Sequence, residues 1–355
     1  MKSGLKVLQT VLMAAGVLSA VLLMTGCSNA PGSGSGSPVS GPDVYVGGSY
    51  QNGTGNFYAC YWKNGVVTTL TNVISDVWGL AVDGAGNVYV GGGYYNNSGI
   101  RCACYWKNGA VTTLTNVISD VWGLSIDGAG NVYTCGICSN ISKTCSNACY
   151  WINGNITILT NINSGATSIV KDGSGNIYVS GSYISSGGLT CASYWKNGFI
   201  STLDSTDTTS YGNSIFLDGS GNIFVGGVYV NSSGVNCACY WENGNLTTLD
   251  NTDMYSWVTP VLVDSSGNIY AAGAFYNNSL GTQCAGYWLN GVKKTICSVY
   301  FSKVTCSLAF DSSGNIYACG QYNNASGTTC ACYWNNGNLV PLTNVSSYTC
   351  PLVLK

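Results

Sequence analysis

The stretch Ala103-Cys104-Tyr105-Trp106-Lys107-Asn108-Gly109 decides the fold of this chain, because seven versions of it recur along the sequence. Every version has a Tyr-Trp pair followed two residues later by Asn-Gly. The tryptophans, spaced 44 to 47 residues apart, are Trp62, Trp106, Trp151, Trp195, Trp241, Trp288 and Trp334. A repeat of this length is typical of a β-propeller, in which each repeat is one four-stranded blade that buries its faces by stacking on its neighbours.

The second repeat shows how one blade is built. Four β-rich segments, called a to d, are predicted at residues 79–83, 87–92, 102–106 and 110–114. Asp83-Gly84-Ala85-Gly86-Asn87 joins a to b, and Asn108-Gly109 joins c to d. Asn-Gly between two such segments predicts a tight hairpin, because both residues tolerate positive φ. We expect the Tyr-Trp pair of strand c, which every blade carries, to belong to the core.

The two ends of the repeat region predict a closed ring. Residues 43–48 match strand b without a preceding a, and residues 348–355 match strand a without a following b. Pairing between them would complete the first blade and remove exposed sheet edges. We therefore predict an all-β fold, a seven-bladed β-propeller with four-stranded blades over residues 43–355, closed by pairing of the N-terminal strand with the C-terminal strand.

The repeat also resembles known propeller families. The segment 79–89, with its Asp-Gly-x-Gly-Asn-x-Tyr core, resembles NHL-like and SBBP-type bacterial propeller repeats. The Ala-Cys-Tyr-Trp-Lys-Asn-Gly segment is similar to repeats of bacterial surface or lipoprotein propellers. The resemblance covers the whole repeat region and implies the fold, but no shared activity, because propellers host unrelated functions.

The N-terminus has the pattern of an export signal. Lys2 and Lys6 precede an apolar stretch, residues 7–23, that leads into Met24-Thr25-Gly26-Cys27. This resembles the lipobox of bacterial lipoproteins and predicts a signal peptide over 1–26, with acylated Cys27 and a Gly/Ser linker over 27–42. The expected location is the bacterial cell envelope, anchored to the outer membrane or cell surface. The alternative is an ordinary secretory signal with an incidental cysteine.

The composition limits the classes of function. Charged residues make up 7% of the chain, His is absent, and Glu242 and Arg101 are the only glutamate and arginine. A nucleic-acid surface needs clustered Lys and Arg, so that partner is excluded. Without His, Ser–His and Cys–His catalysis cannot occur, which argues against an enzyme. We expect a monomeric binding module for a surface glycan, peptide or protein; the alternatives are a structural or adhesive envelope scaffold and, less favoured, a hydrolase or lyase with a paired-Asp central site.

Candidate ligand contacts precede strand a in several repeats. We expect these d-to-a loops to surround the central opening, where aromatic faces beside carboxylates and amides suit sugar or peptide recognition. The candidates are Asp76, Trp78, Asp120, Trp122, Tyr211, Asn213, Tyr255, Trp257 and Tyr348. The alternative is that Trp78 and Trp122 plug the channel or pack between blades.

The Asp-Gly-x-Gly-Asn turns have two interpretations. The spacing of Asp172, Ser174 and Asn176 is similar to that of oxygen-rich calcium loops, but such loops need more ligands, including a bidentate carboxylate. The favoured interpretation is a hairpin turn whose Asp side chain bonds the turn amides. We predict no metal and no cofactor.

The chain has 18 cysteines, of which 17 remain after Cys27 is set aside. Candidate disulfides are Cys138–Cys145, which flank an enlarged hairpin, and Cys135–Cys149 and Cys319–Cys332, which occupy corresponding positions on strands b and c. Cys-x-Cys pairs such as Cys102 and Cys104 allow either a metal site or small buried hydrophobes. The absence of His favours the second.

Overall fold

The computed structural model describes residues 41–139, 146–204, 208–279, 281–297 and 307–355. This part of the chain is all-β and forms seven four-stranded sheets in a ring, a seven-bladed β-propeller. The predicted signal peptide, Cys27, nearly all of the linker and Cys145 lie outside the described residues. Within the described ranges, no helix has the length and hydropathy needed to cross a bilayer.

Each blade has its strands in the order a, b, c, d from the axis outwards. Blade 1 contains β28 (Ser347–Leu354), β1 (Val44–Gln51), β2 (Phe57–Lys63) and β3 (Val66–Thr69). Blade 2 contains β4 (Ser75–Val82), β5 (Val88–Tyr95), β6 (Arg101–Lys107) and β7 (Ala110–Thr113). Blade 3 contains β8 (Ser119–Ile126), β9 (Val132–Ser139), β10 (Ser146–Ile152) and β11 (Asn155–Ile158). Blade 4 contains β12 (Ser164–Lys171), β13 (Ile177–Ile184), β14 (Thr190–Lys196) and β15 (Phe199–Thr202).

The remaining three blades follow the same pattern. Blade 5 contains β16 (Ser210–Leu217), β17 (Ile223–Val230), β18 (Asn236–Glu242) and β19 (Asn245–Asp250). Blade 6 contains β20 (Ser256–Val263), β21 (Ile269–Asn277), β22 (Thr282–Leu289) and β23 (Val292–Cys297). Blade 7 contains β24 (Ser307–Phe310), β25 (Ile316–Asn323), β26 (Thr329–Asn335) and β27 (Asn338–Pro341).

The ring closes through the two ends of the described chain, as the sequence predicts. β1 pairs with β28 in antiparallel register, with Val44 opposite Leu354 and Val46 opposite Leu352. Asp43 and Lys355 extend this pairing by exchanging two backbone hydrogen bonds of 2.7 and 2.9 Å. Blade 1 is therefore assembled from both ends of the repeat region.

The two turn types lie on one face of the ring, called the turn face. In all seven Asn-Gly turns both residues have positive φ, for example 50° at Asn108 and 86° at Gly109. In the Asp turns, Oδ1 of Asp83 accepts hydrogen bonds from the amides of Ala85 and Asn87, at 3.0 and 2.8 Å. Its Oδ2 accepts a bond from the side chain of Asn87. The prediction that these aspartates bond their own turns is confirmed.

The core consists of small clusters between neighbouring blades. The seven repeat tryptophans are at most 1% exposed, which confirms the core prediction for the tryptophan of each Tyr-Trp pair. The tyrosines of these pairs are partly exposed, except Tyr240, so the prediction is wrong for them. A serine at the first position of strand a links consecutive blades: Ser75 Oγ accepts the N–H of Ala59, from strand c of the preceding blade, at 2.9 Å. Equivalent bonds of 2.7 to 2.9 Å are made by Ser119, Ser164, Ser210, Ser256 and Ser347.

Strand a begins earlier than predicted and contains a bulge. β4 starts at Ser75, four residues before the predicted start, and its register with β5 shifts between Val77 and Gly79. The bulge interrupts the two-residue alternation by which a strand is recognised in sequence. The candidate ligand residues therefore lie on the first half of the inner strands and not on loops, with the exception of Tyr255, which directly precedes β20.

Two predicted disulfides are wrong because the register between strands b and c differs by one residue from the expected one. Cys135 is opposite Tyr150, whereas Cys149 is opposite Gly136. Side chains alternate across a strand, so Cys135 and Cys149 face opposite sides of the sheet. Cys319 and Cys332 are separated in the same way, since Cys332 is opposite Gly320, and all four cysteines are buried. The Cys138–Cys145 bridge stays a prediction, because Cys145 lies outside the described residues.

Candidate functional site

The face of the ring opposite the turns carries the d-to-a loops and the b-to-c hairpins, and is called the loop face. Inner strands of consecutive blades neighbour each other around the axis and start at this face. Five of the sequence candidates lie on the inner strands of three adjacent blades: Tyr348 in blade 1, Asp76 and Trp78 in blade 2, and Asp120 and Trp122 in blade 3. Together with Arg101 they form the group called the Arg101 cluster.

Arg101 joins the two carboxylates of this cluster. It is the first residue of β6, and its Nε and Nη2 donate hydrogen bonds of 2.8 and 2.6 Å to Oδ2 of Asp120 in the next blade. The same Nη2 donates to Oδ1 of Asp76 on the inner strand of its own blade. The side chains of Arg101, Asp76 and Asp120 are only 15%, 17% and 11% exposed, so these contacts are largely shielded from solvent screening.

Gly93 makes room for this arrangement. It lies on β5, between Arg101 and the inner strands, and is opposite Asp76. A Cβ atom at this position would be 2.6 Å from Oδ1 of Asp120 and 3.0 Å from Nη2 of Arg101. The equivalent residues of the other blades are Ser49, Ile137, Ser182, Val228, Ala274 and Gln321. Blade 2 is thus the one that combines an arginine at the start of strand c with a glycine on strand b next to its side chain.

Burial and neighbouring charges shift the pKa values of Asp120 and Arg101 in this cluster. Burial raises the pKa of Asp120 to about 7, against the lowering effect of Arg101, and the charge of Asp76 raises it further. Burial alone would lower the pKa of Arg101, but the charges of Asp120 and Asp76 raise it well above its ordinary value. Arg101 therefore stays protonated, and Asp120 keeps its proton to a higher pH than an exposed aspartate does.

Aromatic side chains surround the charged group. Trp78 occupies the bulge of β4 and donates its indole N–H to Oδ1 of Asp76 at 3.2 Å. Trp122 occupies the equivalent bulge of β8, and its ring lies over Gly165 of blade 4, where a Cβ would be 2.7 Å away. Both tryptophans and Tyr348 are partly exposed. Tyr348 packs against Phe57 with ring centroids 5.1 Å apart, and burial and the charge of Asp76 raise its pKa.

The other four candidates lie on blades 5 and 6, away from the cluster. Asn213 is 1% exposed and donates from Nδ2 to the backbone oxygen of Val258 at 2.7 Å, which links two inner strands. Trp257 packs against the core between blades 6 and 7. Tyr211 borders a pocket of about 10 Å³, enough for a single water molecule. Tyr255 is 46% exposed on its loop.

Sequence reasoning missed Arg101 and Gly93 as members of the site. The available signal was a departure from the repeat. The position of Arg101 is Phe57, Ser146, Thr190, Asn236, Gln283 or Thr329 in the other blades. A single arginine next to a single Gly-Gly-Gly run at 91–93 marks blade 2 as different, but neither residue indicates by itself which carboxylates it approaches.

The described residues offer no arrangement for a metal ion. No group of three or more His, Cys, Asp or Glu side chains is close enough to hold one in the described ranges. In the Arg101 cluster the guanidinium of Arg101 occupies the space between the two carboxylates. The cluster can therefore offer a ligand hydrogen bonds and aromatic stacking. A ligand on this surface would meet indole faces, a phenol ring and the accessible edges of a charged hydrogen-bonding group.

Comparison with known proteins shows the fold alone. No protein-family model and no curated protein sequence matches the chain. Among solved structures it is similar to a polysaccharide lyase of family PL25, an ulvan lyase, with a TM-score of 0.51, 12% identity and coverage of 78% of this chain and 86% of that chain. It is also similar to the β-propeller domain of the Trilobed protease from Pyrococcus furiosus, with a TM-score of 0.51, 10% identity and coverage of 86% and 97%. TolB from Acinetobacter baumannii aligns with a TM-score of 0.47 and 9% identity, over 88% of this chain and 82% of that chain.

Proposed function

We propose that this protein is a lipid-anchored extracytoplasmic binding module that holds a surface glycan at the Arg101 cluster on its loop face. The observation that carries the proposal is the convergence of residues that depart from the repeat. Arg101, Gly93, Trp78 and Trp122 are not needed to build a blade, because other blades lack them, yet they meet on one side of the ring opening. Partly exposed indoles beside a fixed hydrogen-bonding group suit the flat faces and hydroxyls of a sugar ring.

The direction in which the chain leaves the ring supports this function. Asp43 precedes β1 at the turn face, where it pairs with Lys355. A linker over residues 27–42 would therefore attach to the turn face and leave the loop face directed away from the anchored membrane. A binding surface at the Arg101 cluster would then be open to partners in the surrounding medium.

A second candidate function, a hydrolase or lyase, is favoured by one observation. A carboxyl group with a pKa of about 7 can act as a general acid or base at neutral pH, and Asp120 has this property. Asp120 and Asp76 are, however, both hydrogen-bonded to Arg101, which restrains them as a structural unit. Binding is therefore the function that the geometry supports better.

The test is a glycan and peptide array probed with the purified protein and with Trp78→Ala and Trp122→Ala. The matched control is Phe199→Ala, which removes an aromatic ring that is 80% exposed on the outer strand of blade 4. We expect specific glycan binding that falls about five- to thirtyfold in each tryptophan variant and is unchanged in the control, because about 1–2 kcal/mol of stacking would be lost.

Three outcomes would contradict the proposal. Binding to peptides alone would show that the ligand is a peptide and not a glycan. Binding to nothing on the array would favour the structural or adhesive scaffold. Turnover of a bound glycan that disappears in the double variant Asp76→Asn, Asp120→Asn, with binding retained, would favour the enzyme.

A further inference from the structure

Blade 3 differs from the other six blades at one position of strand b, which is buried in blade 3. Cys138 occupies this position, where the other blades carry Tyr50, Tyr94, Tyr183, Tyr229, Phe275 and Tyr322. In blade 2 the tyrosine hydroxyl is 2.7 Å from Oγ1 of Thr113 on strand d. The equivalent residue of blade 3 is Ile158, so the hydroxyl and its partner are both replaced.

The replacement brings two thiols together. Cys138 is opposite Asn147 and Cys149 is opposite Gly136, so the two cysteines are diagonal neighbours on one face of an antiparallel pair. Both belong to the cluster that includes Val121 and Trp151. The thiol of Cys138 donates a hydrogen bond of 3.6 Å to the backbone oxygen of Ser139.

The two thiols differ in acidity. The hydrogen bond from Cys149 lowers the pKa of Cys138 to about 7, although burial opposes this shift. Burial raises the pKa of Cys149 well above its ordinary value. Cys138 is 8% exposed, next to the end of β9 at the loop face, whereas Cys149 is fully buried. A thiolate that forms near neutral pH is the attacking partner in thiol–disulfide exchange, and the lowered pKa and slight exposure of Cys138 suit it to this role.

We propose that Cys138 and Cys149 form a redox-active pair that closes into an intrablade disulfide by exchange with an external disulfide. The Cys138 thiolate attacks one sulfur of the external disulfide and forms a mixed disulfide with it. The external S–S bond breaks, and the other external sulfur leaves as a thiolate. Cys149 then loses its proton and attacks the Cys138 sulfur, which releases the second external thiolate. The two cysteines are oxidised by two electrons, the external disulfide is reduced to two thiols, and the protons lost by Cys138 and Cys149 end on those thiols.

Blade 2 provides an internal control for this chemistry. Cys104 is the equivalent of Cys149, is equally buried, and is opposite Gly92 as Cys149 is opposite Gly136. Its diagonal neighbour on strand b is Tyr94, which has no thiol. Cys104 should therefore remain reduced under conditions that oxidise the blade 3 pair.

The test is incubation of the full chain with oxidised glutathione, followed by acid quenching, alkylation in denaturant and mass spectrometry of non-reduced peptides. We expect a peptide pair linked through Cys138 and Cys149, with Cys104 alkylated. In Cys149→Ser, Cys138 should stop at the glutathione mixed disulfide, and in Cys138→Ser, Cys149 should remain a free thiol. Neither readout depends on a ligand, so the result is independent of the proposed binding function.

The variant Cys145→Ser separates this pair from the alternative one in the hairpin. The proposal requires the Cys138–Cys149 link to form equally well in this variant. A link between Cys138 and Cys145 in the unsubstituted chain, loss of the link in Cys145→Ser, or complete alkylation of Cys138 and Cys149 after oxidation would each overturn it.

Discussion

At the scale of single residues, Asp120 is the member of the Arg101 cluster with the most unusual environment. Its Oδ2 accepts both bonds from Arg101, but its Oδ1 is buried without a hydrogen-bond partner among the described residues. An unpaired buried carboxylate oxygen is costly in its charged form. The carboxyl therefore holds its proton to a higher pH than an exposed aspartate does.

This environment predicts a pH dependence of stability. The pKa of Asp120 is about 7 in the folded protein and about 3.9 in an unfolded chain, so between these values the folded state binds a proton that the unfolded state does not. The free energy of unfolding should then fall as pH rises through this window, by up to about 1.4 kcal/mol per pH unit. Urea unfolding of the wild type and Asp120→Asn between pH 5 and 7.5 measures it.

The asparagine variant isolates the contribution of this one group. The wild type should lose stability relative to Asp120→Asn as pH rises, because the variant has no proton to release at this site. The turn aspartates have pKa values lowered by their hydrogen bonds, so their contribution to the free energy of unfolding is lost only as pH falls below about 4. Both proteins contain these aspartates, so this contribution cancels in the comparison. A difference between the two proteins that stays constant from pH 5 to 7.5 would show that Asp120 is ionised throughout.

At the scale of the element, the inner strand is defined by its bulge and by a glycine on strand b. Gly92 lies on strand b against the carbonyl oxygen of Asp76 from strand a, and a Cβ on this glycine would be 2.0 Å from that oxygen. Glycines with the same contact, at 1.8 to 2.1 Å, are Gly48, Gly136, Gly181, Gly227 and Gly273. The close approach lets the strand bulge, and the bulge directs Trp78 and Trp122 out of the sheet.

Substitution of this glycine should therefore be severe. Gly92→Ala should lower the free energy of unfolding by about 3 kcal/mol or more, because the backbone of β4 must move away from β5. Gly84→Ala, in the adjacent turn, is the control: no atom lies within 4 Å of its Cβ position, and its φ is not in the left-handed region. It should change stability by less than about 0.5 kcal/mol. Equal urea midpoints for the two variants would show that the close approach is not required.

At the scale of the whole molecule, the ring is held by links between consecutive blades and by its closure. The serine at the start of strand a repeats one such link, and Lys355 and Asp43 complete blade 1 in the geometry of an a-to-b turn. The bond of 2.9 Å from the Lys355 amide to the Asp43 oxygen corresponds to the bond of 3.0 Å from the Asp83 amide to the Asn87 oxygen in blade 2. The three residues 84–86 bridge that pair.

This correspondence predicts that the chain can be circularly permuted. Joining Lys355 to Asp43 with Gly-Ala-Gly, and opening the exposed turn between Asn197 and Gly198, moves the shared blade from blade 1 to blade 4. The permutant should fold with a Tm within a few degrees of residues 43–355, because the same strands pair in the same order. Removal of β28 from the unpermuted chain should instead leave the inner edge of β1 unpaired and cause aggregation.

A chain without β28 that remains monomeric and fully stable would show that closure is not what holds the ring. A permutant that fails to fold would show that Lys355 and Asp43 cannot be joined as an a-to-b turn. Thermal unfolding followed by circular dichroism, with size-exclusion chromatography of each protein, distinguishes these results.

By itself the sequence determined the number of blades, strands b, c and d, both turn types and the pairing of the two ends. These features depend on local alternation, on residues that tolerate positive φ and on the phase of the repeat, all of which a single chain displays. The buried tryptophans follow for the same reason, since every blade must pack both of its faces.

Only the tertiary structure decided the start of strand a and the register between strands b and c. It also decided which residues come together in the Arg101 cluster and in the Cys138–Cys149 pair. A bulge breaks the alternation that predicts side-chain direction, and a shift of one residue moves Cys135 and Cys149 to opposite faces of the sheet. Arg101 meets Asp76 and Asp120, and Cys138 meets Cys149, across separations set by how strands pair and blades stack. The Arg101 contacts depend on the stacking of blades 2 and 3, and the proximity of Cys138 and Cys149 depends on the register of one hairpin; neither can be read from the repeat pattern alone.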